Sequence, residues 1–594
     1  MNNIIFKYYP ILLILCCFGL YSNSLSNQFV LDDGMVLTDN VVVKKGITNF
    51  VEIVSNDLYY GIKETNLKSS GGRWRPLSLV LLSLEYSLFG LNPFFFHLIN
   101  ILLYSFTALI LYLVLKEIIF KGQHSVAFLA TLIFIFHPIH TEVVSNIKSM
   151  DEILSLLLLL STWYFTFKFI NTKYKYYLLF AILTYGLALL SKENGLVFLF
   201  ILPISFYFFS NLKTRQIIKI SLPFIFIAIL YSLIRFGYFY SEKASSGIMD
   251  DPYLYASKIE LLSTKIFVLG NYLKLILLPY PLNYDYSFNQ IPYVTFNNIY
   301  VWGSVVIHLF LIIISIIKFK KKSLVSFAIL FYLASIFMVS NLIIDIGLIM
   351  GERLLFQASI GFSIIIGYLY LQLYQYKKPV LIIIGFIGIL MSVVVVNRNK
   401  EWKTNKTLFL SDVKKVPNSA RANYNAGTVL MIEATKELGV KQDYSRKLAL
   451  EYFSKTITID STNLSSYINS GNISLKLGQL EEAEYFWNKA SRLDNNTKRK
   501  EQYKFALATE FHKKGLNEAQ QNNNFSKAIT YFDKAVKYQT NNEALYGNQG
   551  NCYMLLKEYD KALVSYNKAL TIDPTYNIAL EGLNKVKPFI KNHP

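Results

Sequence analysis

Long apolar stretches recur along the first two thirds of the 594-residue chain and stop near residue 396. Because about twenty apolar residues are needed to cross a bilayer, the pattern predicts about eleven spanning helices. Their candidate positions are 4–20, 94–116, 125–137, 152–170, 176–190, 195–210, 217–236, 299–317, 324–341, 354–374 and 379–396. We therefore predict an all-α chain with a membrane bundle over 1–398, a linker over 399–416 and a soluble domain over 417–594.

Two further apolar segments do not fit a simple series of spans. Residues 265–280 are apolar enough to cross, but a crossing there would place the lysine-rich segment 318–322 on the outer side. We predict a re-entrant or interfacial helix for this segment. Residues 76–90 begin with a proline and include Glu85, so we predict a helix that lies on the membrane surface.

The basic residues of the membrane half set its orientation. The net charge is +20, and in this half Lys and Arg concentrate in short links such as 168–175, 213–219 and 318–322. This distribution is typical of cytoplasmic loops and favours membrane orientation over nucleic-acid binding. It predicts an integral multi-pass protein with a cytoplasmic amino terminus and a periplasmic or luminal soluble domain. The Asn-, Ile- and Lys-rich composition favours a bacterial inner membrane.

The soluble domain carries an internal repeat. Thirty-four residues separate Ala449 from Ala483, and the same distance separates Ala528 from Ala562. Small and aromatic residues around these alanines have the spacing of tetratricopeptide repeats, which predicts about four helix pairs over 417–588. Such a solenoid presents a groove for a polypeptide partner.

The first and third repeats have an unusual spacing. Gly427 and Ala506, taken as the small residues of the first helices, precede the second-helix alanines by 22 residues rather than 12. We predict that helices or turns in these two repeats are extended by about ten residues.

An acidic pair follows the first apolar stretch. Asp32 and Asp33 stand where the predicted topology places an outer loop. A carboxylate there is suited to deprotonating an acceptor hydroxyl or to coordinating a divalent cation, and the alternative is an ordinary turn. We take both residues as catalytic candidates, with Asp33 ranked slightly above Asp32.

A second polar cluster begins at the end of another predicted span. His137, His140 and Glu142 contain zinc-ligand residue types, but Pro138 interrupts the helix and no further ligand has diagnostic spacing. We therefore predict no metal site here and take the three residues as candidates for contacting substrate. Packing at the membrane boundary is the alternative for His137.

The remaining candidates are charged residues on the same predicted face. Arg353 is the leading candidate for binding a phosphate, because guanidinium presents planar donors that stay charged, and Arg75 is a second candidate. Glu352, Lys192 and Glu193 are candidates for lining the site. The alternative roles are an interfacial anchor for Arg353 paired with Glu352 and a solvated ion pair for Lys192 with Glu193.

Nucleotide-binding motifs are missing from the sequence. It contains neither a Walker loop nor a dinucleotide fingerprint. Chemistry on the outer face would then draw its energy from an activated membrane substrate, and a lipid-linked phosphosugar meets that requirement. No cofactor is needed for such a transfer.

Several stretches resemble one known family in collinear order. They are VLDDGMVLTDN at 30–40, the segment 73–104 beginning RWRPLS, FHPIHTEVVSNIKSMDEILSL at 136–156, LSKENGL at 190–196, and the segments 251–287, 340–362 and 397–402. With the repeats, they resemble the transmembrane and tetratricopeptide repeat-containing (TMTC) proteins. That family is a branch of the GT-C glycosyltransferases and is related to protein O-mannosyltransferases.

The resemblance implies a GT-C-like membrane bundle and a function. The acidic pair of the family maps onto Asp32 and Asp33, and its Ala-Glu-Arg pattern maps onto Gly351-Glu352-Arg353. It implies inverting sugar transfer from a polyprenyl- or dolichyl-phosphate donor to Ser or Thr of a protein. The alternatives are a non-enzymatic repeat scaffold that assembles an envelope complex and a transferase of the same fold that acts on a glycan or lipid.

Overall fold

The computed structural model describes residues 6–62, 73–239, 247–249, 251–342 and 345–590. Within these ranges the regular structure is helical, and the only β feature is an isolated bridge between Asn40 and Ile62. The chain folds as two compact units, Met1–Ala426 and Gly427–Pro594. The predicted all-α fold class is confirmed.

The first unit contains the apolar helices. They are α1 (Tyr9–Tyr21), α2 (Pro76–Phe89), α3 (Pro93–Val114), α4 (His124–Phe136), α5 (Met150–Thr172), α6 (Lys175–Ser191), α7 (Phe198–Phe209), α8 (Thr214–Ile234), α9 (Lys258–Leu277), α10 (Ile299–Phe319), α11 (Leu324–Phe337), α12 (Ser359–Gln372) and α13 (Lys377–Glu401). The helix α14 (Asn405–Lys415) follows, and α15 (Ala420–Ala434) runs across the boundary between the units.

The number of membrane spans differs from the prediction. A helix lies over each of the eleven predicted stretches, but six in the described ranges are long and apolar enough to cross. A seventh candidate is α4 together with Pro138–Ser145, a pair bent by 56°. Other stretches form helices too short for a bilayer: the 12 residues of α7 extend only about 18 Å. The chain is a multi-pass membrane protein, and the count of eleven is not confirmed.

Segments 76–90 and 265–280, which did not fit the predicted series of spans, are both helical. The helix α2 has 14 residues, and Glu85 within it is buried. The helix α9 is continuous, and its charged residues keep it out of the set of candidate spans. It packs through Val268 and Tyr272 against a cluster that includes Ile349 and Leu355. This contact places α9 beside the turn that carries Glu352 and Arg353.

The second unit is a series of antiparallel helix pairs. Its helices are α16 (Gly439–Ile459), α17 (Leu464–Lys476), α18 (Leu480–Leu493), α19 (Thr497–Gln520), α20 (Phe525–Tyr538), α21 (Glu543–Leu555), α22 (Tyr559–Ile572) and α23 (Asn577–Ile590). Glycines allow the close packing within a pair: a Cβ on Gly471 would lie 2.3 Å from the Trp487 ring. A side chain in place of Gly471 would therefore force Trp487 or the helix to move.

The predicted helix extensions occur in α16 and α19. They contain 21 and 24 residues, compared with 13 and 14 in the α17–α18 pair. The close contact of the third repeat differs from the prediction, however, because Gly515 rather than Ala506 faces Phe532. A Cβ on Gly515 would lie 2.6 Å from the Phe532 ring. The extra residues of α19 therefore precede its packing glycine.

Candidate active site

Asp33 anchors the acidic turn to the start of α5. Its side chain is fully buried, and its Oδ2 accepts a hydrogen bond of 2.9 Å from the Val30 amide. Its Oδ1 accepts a bond of 2.7 Å from the Lys148 amide, 115 residues along the chain. Burial raises the pKa of Asp33 to about 7, although the two amide donors act in the opposite direction. Both oxygens of Asp33 are thus used inside the protein.

Asp32 has a different environment from its neighbour. Its side chain is 22% exposed, and its Oδ2 lies 3.9 Å from Nη1 of Arg353. Its backbone carbonyl accepts bonds from the amides of Met35 and Val36, so the side chain is not needed to close the turn. Of the two aspartates, Asp32 is the one whose carboxylate is partly exposed, although the sequence-based ranking places Asp33 slightly first.

The acidic turn is held by the chain that follows α13. The Leu31 amide donates to Oδ1 of Asn405 at 2.8 Å, and the Gln28 amide donates to the Lys403 carbonyl at 2.9 Å. Leu31 has a φ of 53°, in the left-handed region that a β-carbon disfavours. These long-range bonds offset that local strain and fix the direction of the turn.

Arg353 lies between Asp32 and a buried glutamate. Its Nη1 donates to Oε1 of Glu142 at 2.7 Å, and its amide donates to Oε2 of Glu142 at 3.1 Å. Burial acts against the charge on Arg353, but Glu142 and Asp32 outweigh it and raise its pKa. Among the described residues, no protein group bonds to its Nε or Nη2. Arg353 therefore retains donors for an anion.

Arg75 belongs to a neighbouring network in which each nitrogen of its guanidinium donates to a carboxylate. Nε and Nη2 bind the two oxygens of Glu193 at 2.9 and 2.7 Å, and Nη1 binds Asp151 at 2.5 Å. Lys192 contacts Asp151 at 3.3 Å and Glu152 at 2.5 Å. Arg75 thus binds Glu193, and Arg75 and Lys192 both bind the start of α5 through Asp151, whereas the alternative of an ion pair between Lys192 and Glu193 does not occur among these described residues. The predicted phosphate contact of Arg75 is therefore not favoured by the geometry.

Lys148 links the acidic turn, which contains Asp33, to the network around Asp151. It was not among the site residues predicted from the sequence. Its amide bonds to Asp33, and its ammonium lies 3.3 Å from Oδ2 of Asp151. A signal for it existed in the sequence: Lys148 stands on the predicted outer face, against the general bias of this chain. Lysine at such a place is unusual unless it is paired or used.

His137 and His140 are buried and partnered within the fold. His137 Nε2 pairs with the Ile276 carbonyl at 2.8 Å. The two ring nitrogens of His140 pair with Tyr104 at 2.9 Å and Ser359 at 3.0 Å. These bonds stabilise the bend after α4 and favour a packing role over substrate contact. The described ranges contain no group of three His, Cys, Asp or Glu side chains suited to a metal ion.

Glu352 points into the protein rather than toward Arg353. Its Oε1 accepts from the Asn283 amide at 2.6 Å and from the Tyr286 hydroxyl at 2.8 Å. Burial raises the pKa of Glu352 to about 8. The side chain thereby fastens the loop after α9 to the turn that presents Arg353.

An apolar groove borders this charged region. A cavity of about 550 Å³ lies between α7 and α8, and its lining includes Leu199, Phe200, Ile229 and Phe236. Phe236 follows Arg235, whose Nη2 is 3.7 Å from Glu193. The Phe236 end of the groove therefore lies near the buried network that contains Arg75.

Comparisons with known proteins agree with this arrangement of parts. The family model for dolichyl-phosphate-mannose-protein mannosyltransferases matches residues 75–238, and a tetratricopeptide repeat model matches residues 544–576. Human protein O-mannosyl-transferase TMTC3 is 23% identical over 96% of this chain. The resemblance to the TMTC proteins is confirmed.

Other TMTC-type relatives match a shorter part of the chain. Human protein O-mannosyl-transferase TMTC1 is 27% identical, and the match covers 69% of this chain and 51% of the relative. The Caenorhabditis elegans protein O-mannosyl-transferase F38B6.6 is 26% identical over 69% of this chain and 58% of its own length. For TMTC3 the covered share is 65%. The chain therefore spans between half and two thirds of the length of these relatives.

Proposed function

We propose that this protein is a GT-C-type membrane glycosyltransferase that transfers a sugar from a polyprenyl-phosphate carrier to Ser or Thr of a protein. The observation that carries the proposal is the pair Asp32 and Arg353, a reachable carboxylate 3.9 Å from an arginine with unused donors. The relatives named protein O-mannosyl-transferases support the reaction class. We place the reaction on the outer side of a bacterial inner membrane.

The reaction needs a base at the acceptor hydroxyl and an anion site at the leaving phosphate. Asp32 takes the proton of the acceptor hydroxyl as that oxygen attacks the anomeric carbon. The bond from this carbon to the phosphate oxygen breaks, and the electron pair leaves with the polyprenyl phosphate, which Arg353 binds. One bond forms opposite the bond that breaks, so the configuration inverts. Fixed charges lower the barrier because they need no reorganisation during the reaction.

The apolar groove suits the lipid part of the donor. Its volume of about 550 Å³ and its apolar lining match an isoprenoid chain rather than a polar ligand. The repeat unit supplies a second surface, which we assign to the acceptor polypeptide. Neither part requires a nucleotide or a metal ion for this transfer.

The decisive experiment is transfer from a polyprenyl-phosphate sugar to a Ser/Thr peptide by the purified full chain in nanodiscs. Because a positioned base typically contributes 10²–10⁴-fold, Asp32→Asn should lower kcat by roughly that factor. Asp39→Asn changes an exposed carboxylate of the same loop and should leave kcat within about twofold of the unchanged protein. Full activity of Asp32→Asn would remove the assigned base, and absence of transfer by the unchanged protein would remove this donor or acceptor.

A further inference from the structure

Lys148 is the least neutralised cation of the buried charged network. Among the described residues its ammonium has one carboxylate within 4 Å, that of Asp151, with an oxygen at 3.3 Å. The same carboxylate also binds Arg75 at 2.5 Å and Lys192 at 3.3 Å. Lys192 has a second partner in Glu152, and Arg75 has one in Glu193. Three cations therefore share Asp151, and two of them have another carboxylate of their own.

The position of Lys148 is fixed relative to the proposed base. Its amide donates to Asp33 at 2.7 Å, and Asp33 is the chain neighbour of Asp32. Lys148 also lies within electrostatic range of both Asp32 and Arg353. Asp33 thus connects the turn that carries the base to the backbone that carries the lysine.

We propose that Lys148 and Arg353 form a two-cation site for the phosphate of the lipid-linked donor. This inference rests on the proposed function and adds to it a binding residue that the sequence did not reveal. The ammonium of Lys148 has three donors and one neighbouring carboxylate, and Arg353 has Nε and Nη2 to offer. Asp33 acts as a positioning residue, since it sets the distance between this site and Asp32.

Arg75 is not part of this phosphate site. Each of its side-chain nitrogens already donates to a carboxylate at 2.9 Å or less. A phosphate would have to displace Glu193 or Asp151 from a nearly buried guanidinium, leaving a carboxylate without its partner. Lys148 is equally buried, with 6% of its side chain exposed, but its ammonium has one carboxylate neighbour and can donate to an anion without breaking that pair.

The test measures binding of radiolabelled polyprenyl phosphate, which has no sugar, to the full chain in nanodiscs. Since a hydrogen bond to a charged group is worth about ten- to hundredfold in affinity, Lys148→Met should raise Kd by about that factor. Lys148→Arg keeps the charge and should raise Kd less. Lys258→Met removes an exposed lysine of α9 and should leave Kd within about twofold. Binding of the uncharged polyprenol should be the same in all four proteins.

The outcomes separate this inference from the proposed function. Unchanged phosphate affinity in Lys148→Met overturns the role of Lys148, even where the unchanged protein binds the probe and transfers sugar. Failure of the unchanged protein to prefer polyprenyl phosphate over polyprenol overturns the donor itself and this site with it. The thermal midpoint of each variant is measured alongside, and Lys148→Arg provides the comparison if Lys148→Met is unstable. If Lys148→Met is stable and Lys148→Arg binds polyprenyl phosphate no more tightly than it does, that result would also contradict a charge-based role.

Discussion

Asp33 makes the stability of the membrane unit depend on pH in a predictable direction. Burial raises its pKa from 3.8 to about 7, so the protonated form is favoured in the folded state. The corresponding stabilisation is fully present below about pH 4 and is lost as the pH rises through about 7. The difference of about three pH units corresponds to about 4 kcal/mol, at about 1.4 kcal/mol per unit.

Asp33→Asn removes this titration and one acceptor. The amide oxygen of Asn can accept one of the two backbone bonds, but its nitrogen cannot accept the other. We expect the variant to be less stable than the unchanged protein at pH 5 by about 1–3 kcal/mol. Between pH 5 and pH 8 that gap should shrink by about 3 kcal/mol, because only the unchanged protein loses the contribution of a protonated Asp33.

The measurement is reversible unfolding in mixed detergent and SDS micelles, followed by tryptophan fluorescence from pH 5 to pH 8. Asp39→Asn is the control, since its side chain is exposed in the same loop and should show the pH dependence of the unchanged protein. A gap that stays constant over this range would refute the reasoning. It would mean that the amides of Val30 and Lys148 compensate fully for burial of the charge.

Three further sets of substitutions test other contacts. Glu352→Gln should keep the unfolding midpoint close to that of the unchanged protein at pH 7, because Gln can still accept the two bonds, whereas Glu352→Ala should cost about 1–3 kcal/mol. Gly471→Ala should destabilise its repeat by about 1–3 kcal/mol through collision with Trp487, which hydrogen exchange of α17 and α18 would detect while α21 and α22 stay unchanged. Arg398→Met leaves Asp412 buried without its main partner and should cost about 3–5 kcal/mol in denaturation, and a further Asp412→Leu change should recover much of it.

The apolar stretches of the sequence predicted where helices lie, but not which of them are long enough to cross the membrane. Every predicted span contains a helix, because a long apolar stretch in a membrane protein must satisfy its own backbone hydrogen bonds. Whether it crosses depends on where the helix ends, and a break such as Pro138 is a local event that averaged hydropathy does not resolve. Repeat spacing was similarly informative about helix length, yet it could not tell Gly515 from Ala506 as the packing residue.

The candidate site was less predictable because its chemistry depends on distant partners. Asp32 and Asp33 are identical in sequence terms, and what distinguishes them is the Lys148 amide 115 residues away. The sequence already ranks Arg353 above Arg75, but their carboxylate partners, which separate the two, are visible only in the structure. Residue type and predicted topology placed these Asp and Arg side chains on one face of the membrane. Which of them are exposed and which are bonded within the protein is visible only in the structure.

The long-range bonds of the acidic turn have a consequence for biogenesis. Leu31 is bonded to Asn405, 374 residues later, and Asn27 is bonded to the Asn399 carbonyl, 372 residues later. During synthesis the turn emerges first, but these partners are made only when the membrane unit is nearly complete. Because such distant contacts form late, the loop that bears Asp32 takes its final position after the preceding helices have been inserted. A nascent chain that stops before Asn399 would hold the Asp32 carboxylate but lack both of these contacts, and we expect it to be inactive.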